Sequence, residues 1–269
     1  MMIGCLTFLL FILILLVGGE RGVSTIFVLI GNVILFLATV FMIAKGAPPI
    51  LTVLLVGIVI IWITIIGQNG RNQKTVSAAV STLGIMLLMT IVVFSVVTAG
   101  NSGGINEILK QGEDVQYSFN LKIGVSMLKI EIATGILSTL GALADTALSI
   151  TSSVYEVAGH NRSLSKKELF FSGITVGKDI IGTTVNTLLF AYLGQSVLLF
   201  AYVKLNRYTL GTLLNSKFVF QEVSIMLFST IGCLLVIPLA SWLIADSIRK
   251  KGLQCEYHSI TGENNENGH

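Results

Sequence analysis

Charged residues are scarce in this chain of 269 residues: Asp, Glu, Lys and Arg together make up 12% of it, whereas soluble domains carry about 25%. Hydrophobic residues make up 53% and the mean hydropathy is +0.85. Water would solvate so apolar a surface poorly, which argues against an ordinary soluble domain and makes the lipid bilayer the predicted environment. The net charge of +3 is too small to indicate a nucleic-acid partner.

Cysteine and recognisable catalytic motifs are equally scarce. The three cysteines are Cys5, Cys233 and Cys255; no two have metal-ligand spacing, and an odd number argues against a disulfide framework. The three histidines share no metal-binding spacing either. A P-loop, a GxSxG elbow and an HExxH helix are all missing, so nucleotide-driven and hydrolytic chemistry find no support. We therefore expect no cofactor, no metal and no enzymatic activity.

Long apolar blocks dominate the chain, and each is long enough to cross about 30 Å of hydrocarbon. Short breaks rich in Gly, Pro and Asn separate them, and Pro48 and Pro49 suit the start of a helix. This pattern predicts an all-α polytopic transmembrane helix bundle of about seven spans, forming one domain over 1–250, with a disordered cytoplasmic tail at 251–269. The predicted spans lie near 3–18, 24–44, 49–67, 76–99, 127–157, 179–203 and 223–247.

The distribution of basic residues predicts the orientation of these spans. With seven spans, ten of the 17 Lys and Arg residues fall on the side of the C-terminus and six on the other side, with Lys129 set aside near a span edge. Because positive charge favours the cytoplasmic side, we expect an external N-terminus and a cytoplasmic C-terminus.

The fifth span carries a polar stripe centred on Asp145. A charged, unpaired carboxylate in mid-membrane costs roughly 3 kcal/mol or more, so such a residue is seldom accidental. Its polar and small neighbours recur at helical spacing and share one face. The stripe comprises Ser138, Gly141, Asp145, Ser149, Ser152 and Glu156.

A second stripe follows on the sixth span, where Asp179, Gly182, Thr183, Asn186 and Thr187 recur at helical spacing. We expect the two spans to pack with their stripes facing each other. Small residues would let the two backbones approach, and hydroxyl and amide groups would bond across the gap.

Two interpretations of these stripes remain open. The polar groups either hold helices together, with Ser and Thr bonding their own backbone, or they line a path for H⁺ or Na⁺ in which Asp145 binds and releases the ion. Asp179 allows two roles, as a first-turn cap of the sixth span or as part of the path. The predicted path comprises Asp145, Ser149, Ser152, Glu156, Asp179, Thr183, Asn186 and Thr187.

At these residues the chain resembles the YibE/YibF family of bacterial membrane proteins. The run from Gly141 to Ile150, followed by Ser152, Ser153 and Glu156, is similar to the first family signature, and 177–189 (GKDIIGTTVNTLL) is similar to the second. The resemblance covers roughly residues 120–250, and the chain looks more like the YibF partner of the family. It implies a multi-pass protein of the bacterial plasma membrane, paired with a YibE-like paralogous subunit or with copies of itself.

The leading functional hypothesis is a secondary transporter or permease subunit that uses Asp145 to couple transport to H⁺ or Na⁺. The alternative is a non-transporting assembly subunit whose stripes hold the helices of a partner. An intramembrane enzyme would need Asp145 and Asp179 as an acid pair. Because Asp179 is predicted near a span end, we expect the two carboxylates to lie many ångströms apart along the membrane normal.

Overall fold

The computed structural model describes residues 2–100, 102–103, 126–161, 163–205, 209, 211 and 215–266, and for 251–266 it describes the backbone only. All regular structure in these ranges is helical. We number the helices α1 (Met2–Ala44), α2 (Pro49–Ile61, continued by a π-helical segment Trp62–Gly67), α3 (Gln73–Ala99), α4 (Met127–His160), α5 (Lys166–Leu205) and α6 (Lys217–Glu266).

Five of the described helical segments are long and apolar enough to cross a membrane: Arg21–Ala44, Pro49–Gly67, Gln73–Ala99, Met127–His160 and Val219–Lys250. The all-α membrane fold predicted from the sequence is therefore confirmed. Gly4–Gly19 is a shorter apolar helix, and α5 is not among the five. The count of seven spans consequently stays a prediction.

The first two predicted spans correspond to two helical arms of α1, which meet at a non-helical kink at Gly19. This residue has a positive φ of 52° with ψ −130°, a conformation open essentially to glycine. The bend brings Gly22 against the other arm of the helix, where an added Cβ would lie 2.3 Å from the carbonyl oxygen of Ile14. Two glycines thus replace the loop that was predicted between these spans.

Helices α3, α4 and α6 pack against one another to form the core, and α5 packs on α6 and α4. Fully buried apolar side chains from all three core helices meet there, including Met89, Leu143 and Val236. On the other side, α2 packs on α4, and α1 packs on α2. Side chains of α1 are correspondingly exposed, with only 6% of its second arm buried.

Polar contacts distinguish the two ends of the bundle. At one end Ser102, just after α3, contacts the first turns of α4 and α6. At the other end Lys166, the first residue of α5, contacts Asp246 of α6. We call these the Ser102 end and the Lys166 end.

Two helix boundaries differ from the sequence prediction. Helix α5 begins at Lys166, thirteen residues before the predicted start of the sixth span at Asp179. The extra turns pack into the bundle, since Leu169 is 1% exposed. The backbone of α6 is helical to Glu266, whereas a disordered tail was predicted over 251–269; residues 267–269 lie outside the described part of the chain.

Candidate functional site

Asp145 lies near the middle of α4, on the face opposite the core. Its neighbours Leu143 and Ala144 are buried, whereas Asp145 itself is exposed on the surface of the chain. The rest of its stripe shares this face: Gly141, Ser149 and Glu156 are exposed, and Ser138 and Ser152 are half-buried. The helical spacing therefore correctly identified one face of α4, and that face points away from the packed bundle.

The second stripe also lies on an outer face. Asp179, Gly182, Thr183, Asn186 and Thr187 are all exposed on α5. The opposite face of α5 packs on α6, because Gly173 and Gly177 approach Ser241 and Ile237 closely.

The sequence predicted that the two stripes pack against each other. Within the chain they do not. A Cβ added to Gly141 or to Gly182 would meet nothing within 4 Å, so neither glycine serves a close helix approach. Among the described residues no hydrogen bond or ion pair joins one stripe to the other. The small residues that permit close packing are instead Gly173 and Gly177, at the four-residue spacing typical of membrane helix contacts.

Three of the five hydroxyl groups in the two stripes donate to the backbone of their own helix. Thr183 donates to the carbonyl of Ile180 (2.8 Å), Thr187 to that of Thr183 (2.9 Å), and Ser138 to that of Gly135 (3.1 Å). These contacts correspond to the local-backbone interpretation of Ser and Thr in a membrane helix. The carboxylates of Asp145 and Asp179 have no hydrogen-bond or ion-pair partner in the described part of the chain.

Asp145 and Asp179 lie at similar heights in the bundle. Helices α4 and α6 run parallel, with Leu143 beside Gly232; α5 runs antiparallel, with Gly177 beside Ile237. At 1.5 Å per residue this register places Asp145 and Asp179 within about one helical turn of each other along the bundle axis. The expected large separation is therefore wrong, as is a first-turn cap role for Asp179, because α5 begins thirteen residues earlier.

A second polar cluster, at the Ser102 end, was not recognised from the sequence as a contact. Glu131 of α4 accepts a hydrogen bond from the Ser102 hydroxyl (2.7 Å) and another from Gln221 of α6 (3.3 Å). Gln221 also donates to the carbonyl of Ser102 (3.0 Å), and Lys217 donates to that of Gly103 (3.3 Å). The cluster ties the chain after α3 to α4 and α6. Only the placement of a carboxylate in the first turns of α4 hinted at it.

A third polar contact lies between α1 and the π-helical segment. Asn32 of α1 donates from Nδ2 to the Thr64 hydroxyl (2.9 Å). Its Oδ1 atom is buried and has no hydrogen-bond partner among the residues that the structure describes. Gln68 adds a second contact by donating to the Thr25 hydroxyl (2.8 Å). Asn32 therefore belongs to a small polar seam that joins α1 to the end of α2.

At the Lys166 end, Asp246 binds two lysines. Lys166 contacts one carboxylate oxygen, and Lys250 lies 2.7 Å from the other. The Lys166 ammonium also lies over the Trp242 ring, 5.3 Å from its centroid. Lys250 is a neighbour of Asp246 on α6, whereas Lys166 of α5 is 80 residues away in the sequence.

A cavity of about 800 Å³ lies apart from Asp145 and Asp179. It is lined by α1, α2 and the first turns of α4. Ser138, the first residue of the α4 stripe, lines its edge, whereas Asp145 does not line it. No group of three or more His, Cys, Asp or Glu side chains with metal-binding geometry occurs among the described residues.

Comparison with known proteins extends the sequence resemblance over almost the whole chain. A family model described as "YibE/F-like protein" matches residues 6–250. The match includes the first four spans, where the sequence had shown only shared apolar character. No curated protein and no solved structure matches the chain. Since the matched region covers all six helices up to residue 250, the chain belongs to the YibE/F-like protein family.

Proposed function

We propose that the chain is a subunit of a secondary transporter or permease in the bacterial plasma membrane, with Asp145 as the group that binds H⁺ or Na⁺. The observation that supports this proposal is the position of Asp145, at mid-height on α4, exposed, and without an ion-pair partner among the described residues. In this proposal the N-terminus is external and the C-terminus cytoplasmic.

The energetics of a mid-membrane carboxylate support a path at the surface of this subunit. If Asp145 faced hydrocarbon in its charged form, it would cost roughly 3 kcal/mol or more. Water in a path, a bound cation, or a covering subunit removes that cost. We propose that a YibE-like paralogous subunit or a second copy of the chain covers the outer faces of α4 and α5, and that the path runs between the subunits.

The remaining path residues follow from the same two faces. Ser149, Ser152 and Glu156 continue the Asp145 face towards the Lys166 end, and Asp179 lies at a similar height on α5. Thr183, Asn186 and Thr187 extend the α5 face towards the Ser102 end. Oxygen ligands from two such faces suit both a proton relay and a hydrated cation.

Proton flux in reconstituted vesicles tests the proposal. Purified complex is placed in proteoliposomes that contain a pH-sensitive dye, and a Na⁺ gradient or a membrane potential is imposed. We expect the wild type to move protons faster than protein-free vesicles and Asp145→Asn to lower that rate at least tenfold. Glu168→Gln, which removes an exposed carboxylate outside both stripes, is the matched control. Equal rates for Asp145→Asn and the wild type, or no wild-type flux, would contradict the proposal.

A second candidate function is that of a non-transporting assembly subunit. The open space at Gly141 and Gly182 favours it, because exposed small residues on membrane helices allow another helix to approach closely. In that case Asp145→Asn lowers the yield of co-purified partner without changing any flux per complex. A normal complex yield combined with lost flux points to transport instead.

A further inference from the structure

The cavity lies between α1, α2 and α4, and its lining residues belong to segments that are long and apolar enough to span the membrane. Its walls include Phe36 and Val40 of α1, Val53 of α2, and Ile130 and Leu137 of α4. Measured along α4, the lining residues 127–138 extend over roughly 16 Å at 1.5 Å per residue. The cavity therefore runs from the Ser102 end of the bundle about halfway towards the opposite end.

The three hydroxyl groups that line the cavity are already satisfied by their own helices. Thr39 donates to the carbonyl of Leu35 (2.7 Å), Thr134 to that of Ile130 (3.0 Å), and Ser138 to that of Gly135 (3.1 Å). The remaining lining residues are apolar. A bound water needs two to four polar partners, and a polar solute would lose its hydration without replacement here. The cavity consequently suits hydrocarbon.

Two lysines are next to lining residues of this cavity at the Ser102 end, although neither lines it. Lys45 directly follows the lining residue Ala44, and Lys129 lies in the first turn of α4 between the lining residues Met127 and Ile130. Both side chains are exposed, and neither has an ion-pair partner in the part of the chain that the structure describes. The Lys45 ammonium lies 4.8 Å from the centroid of the Phe41 ring of α1, a residue that does not itself line the cavity. Ammonium groups at this level favour an anionic headgroup.

From these observations we infer that the cavity is a binding site for one anionic phospholipid, with an acyl chain between α1, α2 and α4 and the headgroup phosphate near Lys45 and Lys129. The site is separate from the proposed path, because Ser138 at its inner edge precedes Asp145 by seven residues, roughly 10 Å along α4. The inference does not depend on the proposed function.

Photocrosslinking of the unaltered protein tests the acyl-chain position. Phosphatidylglycerol with a diazirine on its acyl chain is added to the delipidated full chain in detergent and irradiated, and the labelled peptides are identified. We expect labels within 36–53 and 127–138. Labels found only on other segments would overturn the proposal.

Native mass spectrometry tests occupancy and headgroup preference. We expect the wild type to retain one phosphatidylglycerol, and Thr134→Phe, which fills the cavity, to reduce the lipid-bound fraction at least tenfold. Thr98→Phe, at an exposed threonine of α3 outside the cavity, is the matched control and keeps the lipid. Equal retention by the two variants would overturn the cavity as the site.

The double variant Lys45→Gln with Lys129→Gln tests the headgroup. We expect it to bind phosphatidylglycerol and phosphatidylcholine of the same chain length equally, whereas the wild type prefers phosphatidylglycerol several-fold. Lys167→Gln, an exposed lysine at the Lys166 end, leaves that preference unchanged. A wild type without preference would overturn the anionic headgroup.

Discussion

Gly173 of α5 lies so close to Ser241 of α6 that a Cβ on Gly173 would be 2.4 Å from the serine Oγ and 2.7 Å from its Cβ. Ser241 is fully buried and cannot turn aside freely, because its hydroxyl donates to the carbonyl of Ile237 (2.7 Å). Val154 of α4 closes the third side at 3.0 Å. Helices α4, α5 and α6 therefore meet at a position that only glycine fits.

Replacing this glycine tests the packing of α5. We expect Gly173→Ala to lower the free energy of unfolding by about 1–3 kcal/mol, the usual cost of overpacking. The matched control is Gly182→Ala on the same helix, where an added methyl meets nothing within 4 Å and should be neutral or slightly stabilising. Denaturation in mixed detergent micelles measures both, and equal effects would contradict the assigned contact.

The Glu131 cluster makes a graded prediction. Glu131→Ala leaves the Ser102 hydroxyl without its acceptor, and Ser102 is 2% exposed. It also removes one acceptor of the Gln221 amide, which keeps its bond to the Ser102 carbonyl. Because unsatisfied buried donors cost about 1–3 kcal/mol each, we expect Glu131→Ala to destabilise by that order. Glu131→Gln keeps an acceptor oxygen and should lose less. The free energy of unfolding of the two variants gives the comparison, and a larger loss for Glu131→Gln would argue against the cluster.

Because the Asn32 Oδ1 atom has no partner among the described residues, we expect replacements of Asn32 and of Thr64 to differ in their effect on stability. Asn32→Leu removes a buried oxygen that bonds nothing among the described residues, together with the Nδ2 contact to Thr64. Because a helical Thr hydroxyl can bond its own backbone instead, we expect little change or a small gain in stability. Thr64→Val removes the only contact of the Asn32 amide among the described residues and should cost about 1–3 kcal/mol. Thermal unfolding in detergent measures both variants. We expect Thr64→Val to lower the stability more than Asn32→Leu, and the opposite order would contradict the assigned contact.

Glu168 predicts a pH dependence at the start of α5. The Ser165 backbone N–H and then its hydroxyl hold the pKa of the Glu168 carboxyl below its usual range, with a smaller contribution from Arg249. Because the folded-state pKa is lowered, the stabilisation is fully present above the unfolded pKa and disappears as the pH falls from the unfolded pKa through the folded pKa.

The Glu168→Gln variant isolates this effect from the other carboxylates. We expect the stability difference between wild type and Glu168→Gln to be present at pH 7 and to shrink as the pH falls through that range. Chemical unfolding at several pH values measures it. A difference that grows on acidification would show that the capping hydrogen bonds (2.7 Å from the Ser165 N–H) do not favour the ionised form.

Most of the architecture could be predicted from the sequence, because apolar run length and turn residues act locally. The predicted spans at 49–67, 76–99 and 127–157 agree closely with helical segments of the structure. The sixth span was predicted to begin at Asp179, after a basic stretch whose helical rhythm was interpreted as an interfacial segment; in the structure both belong to α5, which begins at Lys166. The helical conformation of 166–178 depends on burying Leu169 and on the close approach of Gly173 to Ser241.

The candidate site was predictable only as a set of faces. Helical spacing alone determined that Asp145, Ser149 and Glu156 share one side of α4, and that Asp179 and Asn186 share one side of α5. Tertiary packing alone decided where those sides point. The apolar face of α4 packs against α3 and α6, and the face of α5 that carries Gly173 packs against α6. Both polar faces therefore lie on the outside. The spacing of polar residues gives the angular position of each residue around its own helix. Which residues of other helices it contacts depends on how all the helices pack together.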